Sequence, residues 1–501
     1  MDIAARLQDN IASLNHFLPE FILIGLMLVL MIADVFIKRE QTPWLGILTL
    51  VGGIICLIAV LGQSDEPGRG IFNNMMAVDR FATFFKLIFL GSMIMTVLLS
   101  FSSLELAGRS VGEYFILLTA TTLGMLWMAS ATNLITIFIA IETVSISSFA
   151  LATYLKSVKR SSEAGLKYTI YGTFSSGLML YGFSLIYGLT GSLNIYEISH
   201  VLSTSSPNAL TLFVAFLLIL AGFGYKIASV PFHFWAPDVY EGAPTPVTAF
   251  FSVGPKAAGF ALLIRFVTVG LSTSGSEGWT TIAGLNWQQL LAVVSAATMT
   301  LGNLVAIVQT NMKRLLAYSS IAHAGYALMG VVLLTQEGIN ATMFYLVAYY
   351  LMNLGAFLVV IIVQELIGSE RLQDYRGLGF RAPVVAACMT LFLFSLTGLP
   401  ITIGFIGKFY LLAAVIQGDA QFYWLAVVAI INTVISLYYY ARIIKAMYLE
   451  APPEPATGRL TVAWPAIALL ALLAVPTFVF GILFGPLYNL TKASVKFFAG
   501  I

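Results

Sequence analysis

The chain has 501 residues, 59% of them hydrophobic and only 10% charged, with a mean hydropathy of +0.92. A soluble domain is about 45–50% apolar, so an ordinary globular protein is excluded, and a net charge of +2 gives no reason to expect nucleic acid as a partner. Cys56 and Cys388 both lie inside apolar runs and suggest neither a disulfide nor a metal ligand.

The opening MDIAARLQDNIASLNHFLPE lacks a signal peptide's order of basic, apolar and small residues, so the first apolar run reads as a retained anchor. Runs of about 20 apolar residues, each able to cross about 30 Å of hydrocarbon, then recur along the chain. Fourteen spans are predicted, near 17–37, 44–62, 79–101, 113–130, 132–154, 165–189, 209–232, 246–271, 288–309, 315–335, 341–365, 383–416, 421–448 and 463–487. The expected fold is therefore an all-α polytopic membrane protein. The twelfth span is too long for one straight helix and contains SLTGLP at 395–400, which predicts two half-helices. The longest connections, around 190–208 and 449–462, have room for a strand or a lateral turn.

Lys38, Arg39, Arg109, Lys156, Lys159, Arg160, Lys313, Arg314, Arg371, Arg376, Arg381, Lys445 and Arg459 all fall in or beside connections that follow odd-numbered spans. Connections after even-numbered spans carry chiefly Arg69 and Arg80. Basic residues stay on the cytoplasmic side, so both termini are expected to face outward.

Four ionisable residues fall inside spans: Glu142 in the fifth, Lys226 in the seventh, Lys256 in the eighth and Lys408 in the twelfth. A charge at a helix centre costs about 2.5–3.5 kcal/mol on insertion scales, and such residues are functional by default. Lys86, Arg265 and Glu365 lie nearer span ends, where snorkelling to the interface is the simpler expectation. Pro231 follows Lys226, Pro400 follows Gly398 in the twelfth span, and Pro255 is expected to weaken the eighth beside Lys256. Helix breaks survive in a membrane only inside protein or along a hydrated cavity. Burial disfavours a lysine's charged form and a nearby carboxylate favours it, so a glutamate and several lysines together form a proton relay that electrostatics can switch. His233 and His323 are candidates for passing protons between them. Lys167 is either a second modulator of Glu142 or a snorkelling cation.

The stretch GYKIASVPFHFWAPDVYEGAPTPVTAFFSVGPKAA resembles the signature of the antiporter-like subunits of respiratory complex I. LGNLVAIVQTNMKRLLAYSSIAHAGYALMG, SLTGLPITIGFIGKFYL, ATNLITIFIAIETVSISSFALATYL and SSEAGLKYTIYGTFSSGLMLYG extend the likeness over about residues 110–450. The N type of these subunits is the nearest. The L type adds a C-terminal lateral helix, and the M type carries glutamate at the position of Lys408. The resemblance implies that Glu142 and Lys226 form an ion pair and that Lys256 and Lys408 continue a proton path. It also implies three N-terminal helices over 1–110, two inverted five-helix repeats over 111–271 and 288–448 with broken helices 7 and 12, and a last helix in 449–501. On this likeness the chain holds no cofactor and no metal. NADH, FMN, iron–sulfur clusters and quinone would belong to partner subunits, the neighbours would be M-type and K-type subunits, and the setting would be the lipid bilayer of a bacterial plasma membrane rather than an organelle's. A subunit of a multisubunit cation/proton antiporter, of a ferredoxin- or hydrogenase-linked relative, a scaffold of the membrane arm, and a quinone-binding chain are the alternatives.

Overall fold

Polar residues just ahead of apolar runs start the helices. Asn133, Asn208, Asn311 and Thr335 each accept a hydrogen bond from a backbone N–H two or three residues on, and Asp79 accepts from Ala82 at 2.8 Å. Left-handed glycines, Gly191 and Gly368, end two of the longest. The computed structural model describes residues 3–36, 43–64, 67–103, 105–106, 111–205, 207–275, 278–282, 286–452 and 458–498. Lys38, Arg39 and Arg109, counted above among the orienting charges, lie outside these residues.

The helices are α1 (Ile3–Leu14), α2 (Leu18–Phe36), α3 (Pro43–Gly62), α4 (Arg80–Phe101), α5 (Gly112–Ser130), α6 (Leu134–Ala152), α7 (Lys159–Thr190), α8 (Ile195–Thr204), α9 (Ala209–Ile227) and α10 (Trp235–Gly242). They continue as α11 (Thr245–Arg265, extended by a π turn to Gly270), α12 (Trp287–Ala306), α13 (Met312–Val332), α14 (Gln336–Ile367) and α15 (Leu378–Arg381). The last are α16 (Pro383–Thr397), α17 (Ile403–Gln417), α18 (Tyr423–Leu449), α19 (Trp464–Ile482) and α20 (Gly485–Ser494). Eleven helices among the described residues are long and apolar enough to cross a membrane. Helices α5 and α7 and the pair α16–α17 coincide with the other three predicted spans. Two short 3-10 helices (Leu372–Tyr375 and Ala420–Phe422) and two antiparallel hairpins complete the described elements, β1 (Arg69–Ile71) with β2 (Met76–Val78) and β3 (Ser272–Gly275) with β4 (Gly278–Thr281).

Every residue of α11 is buried, and α13 is nearly so, whereas α2, α3, α18 and α19 present broad apolar faces outward. The centre of the bundle is thus where α11 meets α13. Both described ends of the chain meet the segment before α4: Ser13 and Asp9 of α1 accept from Phe72 and Asn73 in the β1–β2 turn, and the Phe498 N–H donates to Asp79 at 3.0 Å. The two ends therefore lie on one face.

Several expectations need correction. The connection around 190–208 holds the ten-residue helix α8, not a strand or turn, and α1 is an amphipathic helix absent from the span list. Pro255 leaves α11 continuous, because the helix absorbs one missing N–H when its neighbours are packed on all sides. Lys86 and Arg265 do not snorkel. Lys86 pairs with Glu20 at 2.7 Å, the two side chains 2% and 1% exposed. Arg265 pairs with both oxygens of Asp79 at 2.8 Å and donates to Ala129 O at 2.9 Å. A buried charge with a partner has no reason to reach for the interface.

Candidate functional site

The first break stops α9 at Ile227. Ala228 turns left-handed at φ 56°, its N–H returns to Tyr225 O at 3.1 Å, and Ser229 N–H returns to Gly224 O at 2.9 Å. Pro231 then bars the helix from resuming until α10. Lys226 sits in the last turn, where the negative end of the helix dipole favours a cation. Its Nζ is buried, has no hydrogen-bond partner, and stands 5.9 Å from the Tyr225 ring. Glu142, in the middle of α6, has Oε1 buried without a partner. No hydrogen bond joins it to Lys226. His233, in the turn before α10, is buried against Phe234 with Nδ1 unpartnered.

From Lys226 the chain passes to α11 across a close contact. A Cβ at Gly259 would meet Lys226 Cβ at 3.2 Å, one turn from Lys256. Lys256 Nζ donates to Ser320 Oγ at 2.5 Å and to Ser320 O at 2.9 Å, which ties α11 to α13. Lys256, Ser320, His323, Tyr345 and Tyr349 line a cavity of about 10 Å³, close to the room a single water needs. His323 spans onward, with Nδ1 2.5 Å from Tyr345 Oη and Nε2 3.3 Å from Tyr440 Oη.

The second break joins α16 to α17. Gly398 at φ 88° closes α16, a conformation that glycine adopts without a Cβ clash. Ile401 is also left-handed, at φ 71°, a strained geometry for a β-branched residue. A Cβ at Gly404 would fall 1.8 Å from Ser395 O, so only glycine lets α17 start against the end of α16. Lys408 reaches back from α17 and donates to Thr397 O at 2.9 Å and Leu396 O at 3.1 Å, the last carbonyls of α16. Its Nζ lies 4.4 Å from the Tyr326 ring centroid. Both lysines beside breaks thus sit at the carbonyl end of a half-helix.

Lys167 takes a different position. It pairs with Asp238 at 2.6 Å and with Glu163 at 2.8 Å, not with Glu142. Asp238 also holds Arg314 at 2.5 Å, and Glu241 holds Arg314 at 3.2 Å. Burial alone would raise the Asp238 pKa, but the hydrogen bonds from Lys167 and Arg314 outweigh it and hold the carboxyl below its usual range. A polar vestibule of about 920 Å³ opens nearby, lined by Arg160, Glu241, Lys313, Gln364, Glu370 and Arg371 among others. Sequence reasoning missed the Asp238–Arg314 cluster because both residues read as ordinary charges beside connections. It also missed Ser320, although AYSSIAHAGY contains it, since a serine in an apolar run carries no signal of what it binds.

The chain matches the family described as NADH:quinone oxidoreductase/Mrp antiporter, TM, over residues 131–436. It is 48% identical to NADH-quinone oxidoreductase subunit N 2 of Chloroherpeton thalassium over 99% of this chain and 98% of that protein. Its fold matches a chain of respiratory complex I from Thermus thermophilus at 31% identity and a TM-score of 0.78, covering 95% and 99% of the two chains. A chain of the Mrp complex from Dietzia sp. DQ12-45-1b matches at 22% identity and a TM-score of 0.79 over 95% and 97%, a likeness of fold alone.

Proposed function

The chain belongs to the NADH:quinone oxidoreductase/Mrp antiporter family, and from that premise we propose that it is the N-type membrane subunit of a proton-translocating NADH:quinone oxidoreductase. The observation that carries the reading is the line Lys226, Lys256, His323 and Lys408, buried in the bundle and flanked by two helix breaks, with half-buried Glu142 at its start. Loading starts on the cytoplasmic side, with Glu142–Lys226 pairing that opens and closes. Lys256 then passes charge by way of His323 to Lys408 for release outward. His233 serves the first transfer, and Lys167 acts on it from the Asp238 cluster. Moving a charge against 100 mV takes about 2.3 kcal/mol, equal to roughly a fiftyfold change in a lysine's proton affinity. Making or breaking one close charge pair at low dielectric is enough for that.

The two halves, 111–271 and 288–448, act as inverted repeats, each with one broken helix. Both ends of the chain lie on the outer face of a bacterial plasma membrane. NADH, FMN, iron–sulfur clusters and quinone are held by other subunits, and M-type and K-type subunits flank this one in the membrane arm. The test is proton uptake by proteoliposomes carrying the assembled complex with Lys256→Met. Quinone reduction without proton movement from this subunit is expected, and wild-type stoichiometry would overturn the reading.

A further inference from the structure

Polar residues off the Glu142–Lys408 line recur on the facing surfaces of α11 and α14. On α11, Thr245, Ser252 and Lys256 are seven and four residues apart, so at about 100° per residue they share one face. On α14, Asn353 and Gln364 are eleven apart and share a face, which Tyr349 continues one turn away. The helices meet in rungs. Thr245 Oγ1 donates to Gln364 Oε1 at 2.8 Å. Asn353 Nδ2 donates to Ser252 Oγ at 2.6 Å. Lys256 and Tyr349 then line the same small cavity.

The outer rung opens on water. Gln364 lines the vestibule beside Lys313 and Glu370, and its Nε2 donates to Glu370 at 3.2 Å. The inner rungs are incompletely satisfied. Asn353 is fully buried with Oδ1 unpartnered, and the Tyr349 hydroxyl, buried beside Ser320 and Asn353, makes no well-formed hydrogen bond to either. Native interiors rarely leave such atoms bare, and those that remain mark places where water enters. Two apolar side chains would pack the same interhelical space with no such atom, so a tie between helices does not by itself call for an amide here.

We propose that this ladder is the proton inlet to Lys256 from the vestibule, with Asn353 as the positioning residue of its inner gate. The proposal rests on the relay reading above. A proton from vestibule water travels along hydrogen-bonded water to the free amine of Lys256. Asn353 and Ser252 hold that water by donating and accepting hydrogen bonds, and neither gains nor loses a proton. The two hydrogen-bonded rungs are seven positions apart on α11, about 10 Å. Ala249 and Phe357 lie along that stretch of α11 and α14 and are fully buried, so the inlet conducts only when about three waters at hydrogen-bond spacing bridge it.

The test uses the assembled complex in proteoliposomes, with Asn353→Leu, Asn353→Ser, Ser252→Ala and Lys256→Met. Asn353→Leu should slow coupled turnover and proton uptake about tenfold, a barrier rise of about 1.4 kcal/mol, and should raise the solvent deuterium isotope effect on turnover. Asn353→Ser, small and polar, should restore most of both. Wild-type pumping in Asn353→Leu, an unchanged isotope effect, or equal failure of Asn353→Ser overturns the inlet. If Asn353→Leu is silent while Lys256→Met stops pumping, the inlet falls and the relay stands; if Lys256→Met is silent too, the relay itself falls. Should Asn353→Leu fail to assemble, Ser252→Ala carries the test, with the same rise in isotope effect expected.

Discussion

Lys408 separates a charge from a proton carrier. Its amine holds the last two carbonyls of α16, at 2.9 and 3.1 Å, and lies over the Tyr326 ring. Lys408→Met removes amine and charge at nearly constant shape. Each stranded carbonyl costs about 1–3 kcal/mol, offset by several kcal/mol no longer needed to bury an ammonium. The net change is small against a bundle whose core is otherwise intact, so the complex should assemble. Lys408→Arg keeps the charge and the donors but cannot release a proton. Its larger head, in a pocket so close that a Cβ at Gly398 would stand 2.9 Å from Lys408 Cδ, costs about 1–3 kcal/mol of overpacking. Both variants should lose the share of proton uptake that passes through this subunit by about a hundredfold or more, the scale of a missing acid–base group. The assay is dye-monitored acidification of proteoliposomes alongside native gels for assembly. An arginine variant that pumps at the wild-type rate would show that a fixed charge suffices, and the reasoning would fail.

Two further predictions concern stability. Asp79→Ala leaves Arg265 fully buried without a counterion, a loss of about 3–5 kcal/mol, and removes the cap on Ala82 N for about 1 kcal/mol more. The double variant Asp79→Asn, Arg265→Met should recover most of it in thermal unfolding of the purified complex. Asp238 is held below its usual pKa by Lys167 and Arg314, so its contribution is present above the unfolded value, about 3.9, and is lost as pH falls through the lower folded value. Melting curves of wild type and Asp238→Asn should accordingly differ at neutral pH and converge in acid, below about pH 4.

The helical spans were legible because lipid imposes a demand that can be counted, about 20 apolar residues per crossing. Even the interrupted crossings announced themselves, through Pro231 and through Gly398 with Pro400, since few residues disrupt a helix so strongly. Helix α1 escaped for the opposite reason. IAARLQDNIASL mixes polar and apolar residues within 12 positions, and only its contacts with the β1–β2 turn fix it as a helix with a place.

The sequence by itself determined which residues are charged inside the membrane, because cost depends on depth and depth follows from position along a span. Only the tertiary structure decided what each charge does. Lys86 and Arg265 are as buried as Lys256, yet their partners Glu20 and Asp79 lie 66 and 186 residues away in the chain. Lys256 and Lys408 have hydroxyl and carbonyl oxygens for company, and Lys226 has no hydrogen-bond partner. A closed ion pair locks its proton in place, and a lysine without one is free to exchange it. Which of the two arises depends on helices meeting across the bundle, a relation that no local pattern of residues encodes.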